Sequence, residues 1–100
     1  MEIIIKSIHF DATEKLKAFV NKKVEKLQKT YGDIKKVEVQ LKVEKPATAL
    51  NKSTSILVSA FGQSFFTEKT YDTFEEGISS CIDAMKVQII KAKDKLKNQN

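Results

Sequence analysis

Arginine is missing from this chain of 100 residues: its 18 basic residues are all lysines, set against 13 acidic ones. The resulting formal net charge of +5 favours an anionic partner such as nucleic acid, an acidic protein surface or lipid headgroups. Lysine is a strongly hydrated point charge, whereas bidentate contacts to base edges suit arginine better. The composition therefore favours recognition of shape and charge over recognition of sequence.

Other residue types that carry chemistry are also scarce. One cysteine, Cys81, excludes an internal disulfide and fits a reducing cytoplasm. Cys81 and the one histidine, His9, are too few for a zinc site or a Cys–His nucleophile, and three glycines supply no phosphate-binding loop. We expect Cys81 to be a buried, inert thiol and His9 to be an ordinary surface residue. The sequence thus predicts no enzyme, no metal and no other cofactor.

No segment has the character of an export signal or a membrane span, because residues 1–10 are too polar and no apolar run is long enough. With 41% hydrophobic and 31% charged residues, the composition is that of a soluble globular protein. One hundred residues are enough for a single four-strand, two-helix domain. We expect that domain at residues 1–97 and a frayed tail at 98–100.

Hydrophobic periodicity predicts the element order βαβββα. Apolar residues recur at every second position in residues 37–44 and 56–60, and at three- and four-residue spacing in two other segments. β-Branched residues dominate residues 2–9, and residues 64–69 complete a hairpin after the turn at 61–63. These patterns predict strands at residues 2–9, 37–44, 56–60 and 64–69, a helix ending before Gly32, a second helix at 73–97 and a loop at 46–52. Because residues 2–9 are apolar on both faces, we expect a central strand there. We expect an α+β fold in which both helices pack on one face of a four-stranded, mostly antiparallel sheet.

Capping signals mark both helices. Asp11 or Thr13 can cap the first helix, and Gly32 can end it. Asp72 or Thr73, each with a glutamate three residues later, can cap the second helix.

The lysines of the two helices fall on flanks beside the apolar stripes when side chains are placed at about 100° per residue. The predicted RNA-binding set is Lys22, Lys23, Lys26, Lys29, Lys86, Lys91, Lys93 and Lys95. The alternative is a solvated face that also complements the helix dipole. Candidates for base stacking are Tyr31, Phe65, Phe66 and Tyr71, of which we expect at least half to belong to the core.

Several short motifs, each weak on its own, together form an order and spacing that is specific enough to indicate a protein family. They occupy residues 1–6, 13–17, 22–27 and 39–45, then Asp72, then 91–97. On these motifs the chain resembles, over essentially its whole length, the short ribosome hibernation promoting factors and ribosome-associated inhibitors of the sigma-54 modulation protein family. It departs from the common pattern at Val87, before Gln88, where the family often has an arginine.

This resemblance implies a fold similar to double-stranded-RNA-binding domains and a site on the small ribosomal subunit. Family members lie in the channel between head and body, contact ribosomal RNA where messenger and transfer RNA would sit, and block translation when growth stops. The family's basic positions fall on Lys23, Lys26, Lys91, Lys93 and Lys95. Any pairing of ribosomes would need another factor or another surface.

Two other functions remain open at this point. One is a binder of structured RNA outside the ribosome, and the other is an adaptor whose basic face binds an acidic protein. A membrane-surface role is not expected, because the apolar helix faces are needed for the core. No small-molecule substrate is expected either.

Overall fold

The computed structural model describes residues 1–44 and 50–97, and the side chains of the last helix as far as Asp94. Its elements are β1 (Glu2–Ile8), α1 (Glu14–Tyr31), β2 (Ile34–Val43), β3 (Lys52–Ala60), β4 (Gln63–Tyr71) and α2 (Phe74–Lys97). The predicted order βαβββα is confirmed. Residues 46–49 of the predicted loop and the predicted tail at 98–100 lie outside the described residues.

The sheet has the strand order β1-β2-β3-β4. β1 runs parallel to β2, with α1 as the crossover, and the other neighbours are antiparallel. The expectation that β1 is a central strand is wrong, because β1 lies at an edge. Its two-sided apolar character has another origin: Ile3 and Ile5 pack against the core, and Ile4 lies half-buried on the opposite face, level with Glu38 of β2. Periodicity reports which faces are apolar and does not report how many neighbours a strand has.

Both helices lie on the same face of the sheet, as predicted. Alternate residues of β2 and β3, such as Val37, Val39 and Ile56, are fully buried, whereas Glu38 between Val37 and Val39 is only half-buried. Burial of these apolar side chains is the main favourable contribution to folding. The helices contribute to this one core cluster Leu16, Val20, Val24 and Leu27 from α1 and Phe74, Ile78, Cys81, Ile82, Met85 and Ile89 from α2.

Thr13 rather than Asp11 caps α1. Its Oγ1 accepts a hydrogen bond from the Leu16 N–H at 3.1 Å, which satisfies one of the free donors of the first turn. At the other end, Gly32 adopts φ of 80° and its N–H donates to the Gln28 carbonyl at 2.8 Å. A side chain at that φ would be strained, so glycine suits the end of this helix.

Thr73 and Glu76 form the capping box of α2. The Glu76 N–H donates to Thr73 Oγ1 at 3.2 Å, and the Thr73 hydroxyl donates to Glu76 Oε1 at 3.0 Å. Asp72, the other candidate, instead accepts a hydrogen bond from the Leu50 N–H at 2.6 Å. It therefore ties the segment before β3 to the start of α2.

The two helices run in the same direction. Near their N-terminal ends, the Phe10 and Phe74 rings stack with centroids 4.7 Å apart. Near their C-terminal ends, Lys93 Nζ lies 5.9 Å from the Tyr31 ring centroid. The lysine-bearing flanks of α1 and α2 therefore lie side by side along the helices.

Three contacts fix α2 on the sheet. Gly77 approaches β3 so closely that a Cβ at this position would lie 2.6 Å from Thr54 Oγ1. Further along, the Tyr71 hydroxyl donates to Ser80 Oγ at 3.0 Å. The Gln88 side chain donates to the Phe66 carbonyl of edge strand β4, also at 3.0 Å.

Candidate nucleic-acid interface

A cleft of about 80 Å³ separates α1 from α2 and is lined mainly by charged side chains. Lys23 and Lys26 of α1 face Lys86 and Asp83 of α2 across it. The Lys86 Nζ to Asp83 Oδ1 distance is 3.9 Å, and 77% of the Asp83 side chain is exposed, so this ion pair is weak. Three ammonium groups therefore face one carboxylate, and the cleft has an excess of positive charge.

Lys23 reaches the cleft by the route expected for a lysine at the edge of an apolar stripe. Its side chain is half-buried, and Nζ lies 5.5 Å from the centroid of the Phe19 ring. The aliphatic stem covers apolar surface while the ammonium group remains at the solvent boundary. Lys23 thus contributes both to packing and to the positive charge.

The positive surface continues over the solvent side of α1. Lys22, Lys26 and Lys29 are exposed, and at 100° per residue they lie within about one quadrant of the helix. Within residues 1–44 and 50–94, none of the three has a carboxylate oxygen within 4 Å of its ammonium group. We call the surface formed by Lys22, Lys23, Lys26, Lys29 and Lys86 the basic band.

The remaining predicted lysines do not all join this band. Lys93 lies at its C-terminal end, exposed, with Nζ 5.9 Å from the Tyr31 centroid and 5.5 Å from the Phe61 centroid. Lys91 is exposed on the flank of α2 that carries Gln88, which bonds to β4, so it points away from α1. The side chain of Lys95 lies outside the described residues.

The open face of the sheet differs from the helix side in having a tight ion pair. Lys6 Nζ lies 2.8 Å from Glu38 Oε1. The hydrogen bond from Lys6, with its positive charge, lowers the pKa of the Glu38 carboxyl below its usual value. Lys6 is thereby paired with a carboxylate, whereas Lys22, Lys26 and Lys29 of the basic band have no such partner among the described residues.

The candidate stacking aromatics occupy different environments. Phe65 is buried, and Tyr31 and Tyr71 are half-buried. Phe66 is 56% exposed on the open face of the sheet, level with Leu57. Tyr31 also lies beside a predicted RNA-binding lysine, Lys93.

Cys81 is buried, as expected, with Sγ 3.4 Å from the Thr54 carbonyl oxygen. Burial raises the pKa of its thiol to about 11, so the nucleophilic thiolate is disfavoured. His9 is exposed just after β1. Within the described ranges no three His, Cys, Asp or Glu residues are grouped as metal ligands, and neither helix is long and apolar enough to span a membrane.

Residues 3–97 of the chain match the family model described as "Sigma 54 modulation protein / S30EA ribosomal protein". The chain belongs to this family. The match includes α1, α2 and every lysine of the basic band. The resemblance found in the sequence motifs is confirmed.

Solved structures show the same fold for this S30EA-family chain. A ribosomal subunit interface protein from Coxiella burnetii is similar with a TM-score of 0.83 at 18% identity, over 94% of this chain and 99% of that one. The N-terminal domain of Thermus thermophilus Protein Y is similar with a TM-score of 0.75 at 20% identity, over 89% and 96% respectively. No curated protein matches the chain.

Two features of the candidate site did not follow from the sequence. The first is the position of Asp83 inside the cleft, for which its spacing of three residues from Lys86 is a usable signal. The second is the approach of Phe61, in the turn between β3 and β4, to Lys93. That contact joins distant segments of the chain, and no local pattern encodes it.

Proposed function

We propose that this S30EA-family protein is a ribosome hibernation factor of the cytoplasm. It binds the small ribosomal subunit through its helix side, in the channel for messenger and transfer RNA, and thereby inhibits translation and stabilises idle ribosomes in stationary phase or stress. The observation that supports this proposal most is the basic band, on a chain that matches the family from residue 3 to residue 97. The similarity to a ribosomal subunit interface protein from Coxiella burnetii agrees with it.

Neutralisation of phosphate charge is the proposed binding mechanism. Each lysine that contacts a phosphate releases condensed counterions, so affinity falls steeply with salt and depends little on base identity. Five to eight such contacts correspond to a log–log salt slope of roughly −4 to −7. Because the two helices are parallel and adjacent, the cleft offers a place where one phosphate can contact lysines of both.

The same band would also suit structured RNA outside the ribosome. In that case free duplex RNA should bind tightly, and the protein should not co-migrate with ribosomes. An adaptor for an acidic protein would instead leave ribosomal RNA unbound. Sedimentation separates these functions.

Sedimentation of a stationary-phase lysate through a sucrose gradient tests the proposal. We expect the protein to co-migrate with small subunits, whole ribosomes or ribosome dimers. We expect a variant with glutamine at Lys23, Lys26, Lys91 and Lys93 to fold normally by circular dichroism, to stay at the top of the gradient and to relieve inhibition of translation in vitro.

A control on the open sheet face is Lys36→Gln with Lys42→Gln, which removes the same charge as Lys23→Gln with Lys26→Gln alone. Residues 36 and 42 pair with Ser59 and Ser53 and alternate with the buried positions of β2. The control should sediment like the wild type. A wild-type protein that stays at the top of the gradient at low salt would refute ribosome binding, and unchanged inhibition by the four-lysine variant would remove those lysines from the site.

A further inference from the structure

We propose that a notch at the C-terminal ends of the two helices binds one unpaired RNA base that carries an amino group. This inference rests on the proposed function. This C-terminal notch has a volume of about 250 Å³ and is lined by Tyr31, Ile90, Lys93 and Asp94. It lies at the end of the basic band. Its lining differs from that of the cleft, where three lysines and one acid suit a phosphate.

The wall of the C-terminal notch presents apolar surface to solvent. Ile90 is 46% exposed, although isoleucine is among the residue types most often buried. Beside it the Tyr31 ring packs partly against the core and remains half-exposed. An aromatic ring next to an exposed aliphatic side chain is the kind of surface on which unpaired bases stack.

Lys93 occupies the aromatic face in the free protein. Its ammonium group lies 5.9 Å from the Tyr31 centroid and 5.5 Å from the Phe61 centroid, where the negative ring faces attract it. A base that stacks on Tyr31 displaces this ammonium group, which can then contact the phosphate of the same nucleotide. One residue thus covers the ring in the free protein and holds the backbone in the complex.

Asp94 determines which base is favoured. Its carboxylate repels a phosphate, so the notch is a poor site for the backbone alone. The same carboxylate can accept a hydrogen bond from an exocyclic amino group, as acidic side chains do from cytosine N4. Uracil has no such donor, and we therefore expect cytosine to bind better than uracil.

The chain has two tyrosines, which gives a direct measurement. Protein labelled with ¹³C in its tyrosine rings should show two sets of ring signals, and Tyr71→Phe assigns them. On titration with short oligocytidine at low salt, we expect an upfield ring-current shift of the Tyr31 signals and no shift of the Tyr71 signals. Oligouridine of equal length should bind about 5-fold more weakly, a difference that Asp94→Asn should abolish.

Two pairs of variants test the stacking surface. Tyr31→Leu should weaken oligocytidine binding by about 5- to 150-fold, the range expected for one stacked base, whereas Tyr31→Phe should keep it. Because Tyr31 also packs on the core, Ile90→Ala provides a milder change at the notch. Its control is Val87→Ala, which removes an exposed apolar group of α2 outside the notch lining.

Base binding in the C-terminal notch and binding to ribosomes can be tested separately. If the amide signals of Lys23 and Lys26 shift on titration but the Tyr31 signals do not, only phosphates bind and the notch is not a base site. If Tyr31 responds to oligocytidine but the protein does not co-migrate with ribosomes, the base site stands and ribosome binding fails. Equal responses to oligocytidine and oligouridine would refute the role of Asp94.

Discussion

Gly77→Ala should destabilise the protein, although the same change usually stabilises a helix. Alanine is favoured over glycine within a helix by about 1 kcal/mol. At Gly77, however, the new Cβ would lie 2.6 Å from Thr54 Oγ1 and 3.1 Å from Thr54 Cβ. The 2.6 Å contact cannot be kept, so α2 must move away from β3 or Thr54 must leave its rotamer.

The expected magnitude follows from these opposing effects. Overpacking of this kind costs about 1–3 kcal/mol, which exceeds the gain in helix propensity and leaves a net loss of up to about 2 kcal/mol. Thr54 Oγ1 is buried and has no hydrogen-bond partner in the described part of the chain. Removing this hydroxyl with Thr54→Ala therefore relieves an unsatisfied polar group and makes room for the Cβ. We expect the double variant to be at least as stable as the wild type.

Urea unfolding followed by far-ultraviolet circular dichroism measures all four proteins of this double-mutant cycle. At constant m-value, Gly77→Ala should lower the midpoint and Gly77→Ala with Thr54→Ala should restore it, with a favourable coupling of about 1–2 kcal/mol. Additive effects would contradict the close contact, as would a stabilised Gly77→Ala single variant. Because α2 carries Lys86, a helix displaced by the single variant should also bind small subunits more weakly.

Three further predictions concern local features of the fold. Thr13→Ala removes the side-chain oxygen that accepts a hydrogen bond from the Leu16 N–H, and it should lower the free energy of unfolding by about 1 kcal/mol, measured by urea unfolding. An unchanged urea midpoint would mean that water caps the helix equally well. Burial raises the pKa of the Cys81 thiol to about 11 from 9.0, so the unfolded chain loses this proton first as the pH rises. The free energy of unfolding should therefore fall between pH 9 and pH 11, and it should fall less steeply in Cys81→Ala. Equal pH dependence of the two proteins would refute the raised pKa of Cys81. Lys6→Gln should raise the pKa of Glu38 toward its usual value in an NMR titration, whereas an unchanged titration would show that the ion pair does not form in solution.

Local patterns were sufficient to predict the type and order of the elements but not their bounds, since β3 begins at Lys52, inside the segment predicted as a loop. The alternation in β2 and the apolar spacing in both helices identify the core face, because every buried position must follow the period of its element. The choice between Thr13 and Asp11 was open, since either side chain can accept a hydrogen bond from the first turn. Only the three-dimensional path of the chain decides which one does.

The sequence predicted which lysines share a flank of each helix but not how the two helices pack against each other. Periodicity placed Lys86 and Lys93 on one flank of α2 and Lys91 on the other, and the described contacts agree with that separation. It could not show that the first flank faces α1, because the direction in which one helix packs beside another depends on contacts such as the Phe10–Phe74 stack. The mistaken central position of β1 has the same origin: strand order is a property of the assembled sheet.

The salt dependence of binding to purified small ribosomal subunits is the strictest test of binding through the basic band. We predict a log–log slope of roughly −4 to −7 for the wild type, and a slope shallower by about 2 for Lys23→Gln with Lys26→Gln. Lys36→Gln with Lys42→Gln, which removes the same charge from the open sheet face, should leave the slope unchanged. Equal slopes for the two double variants would contradict binding through the basic band.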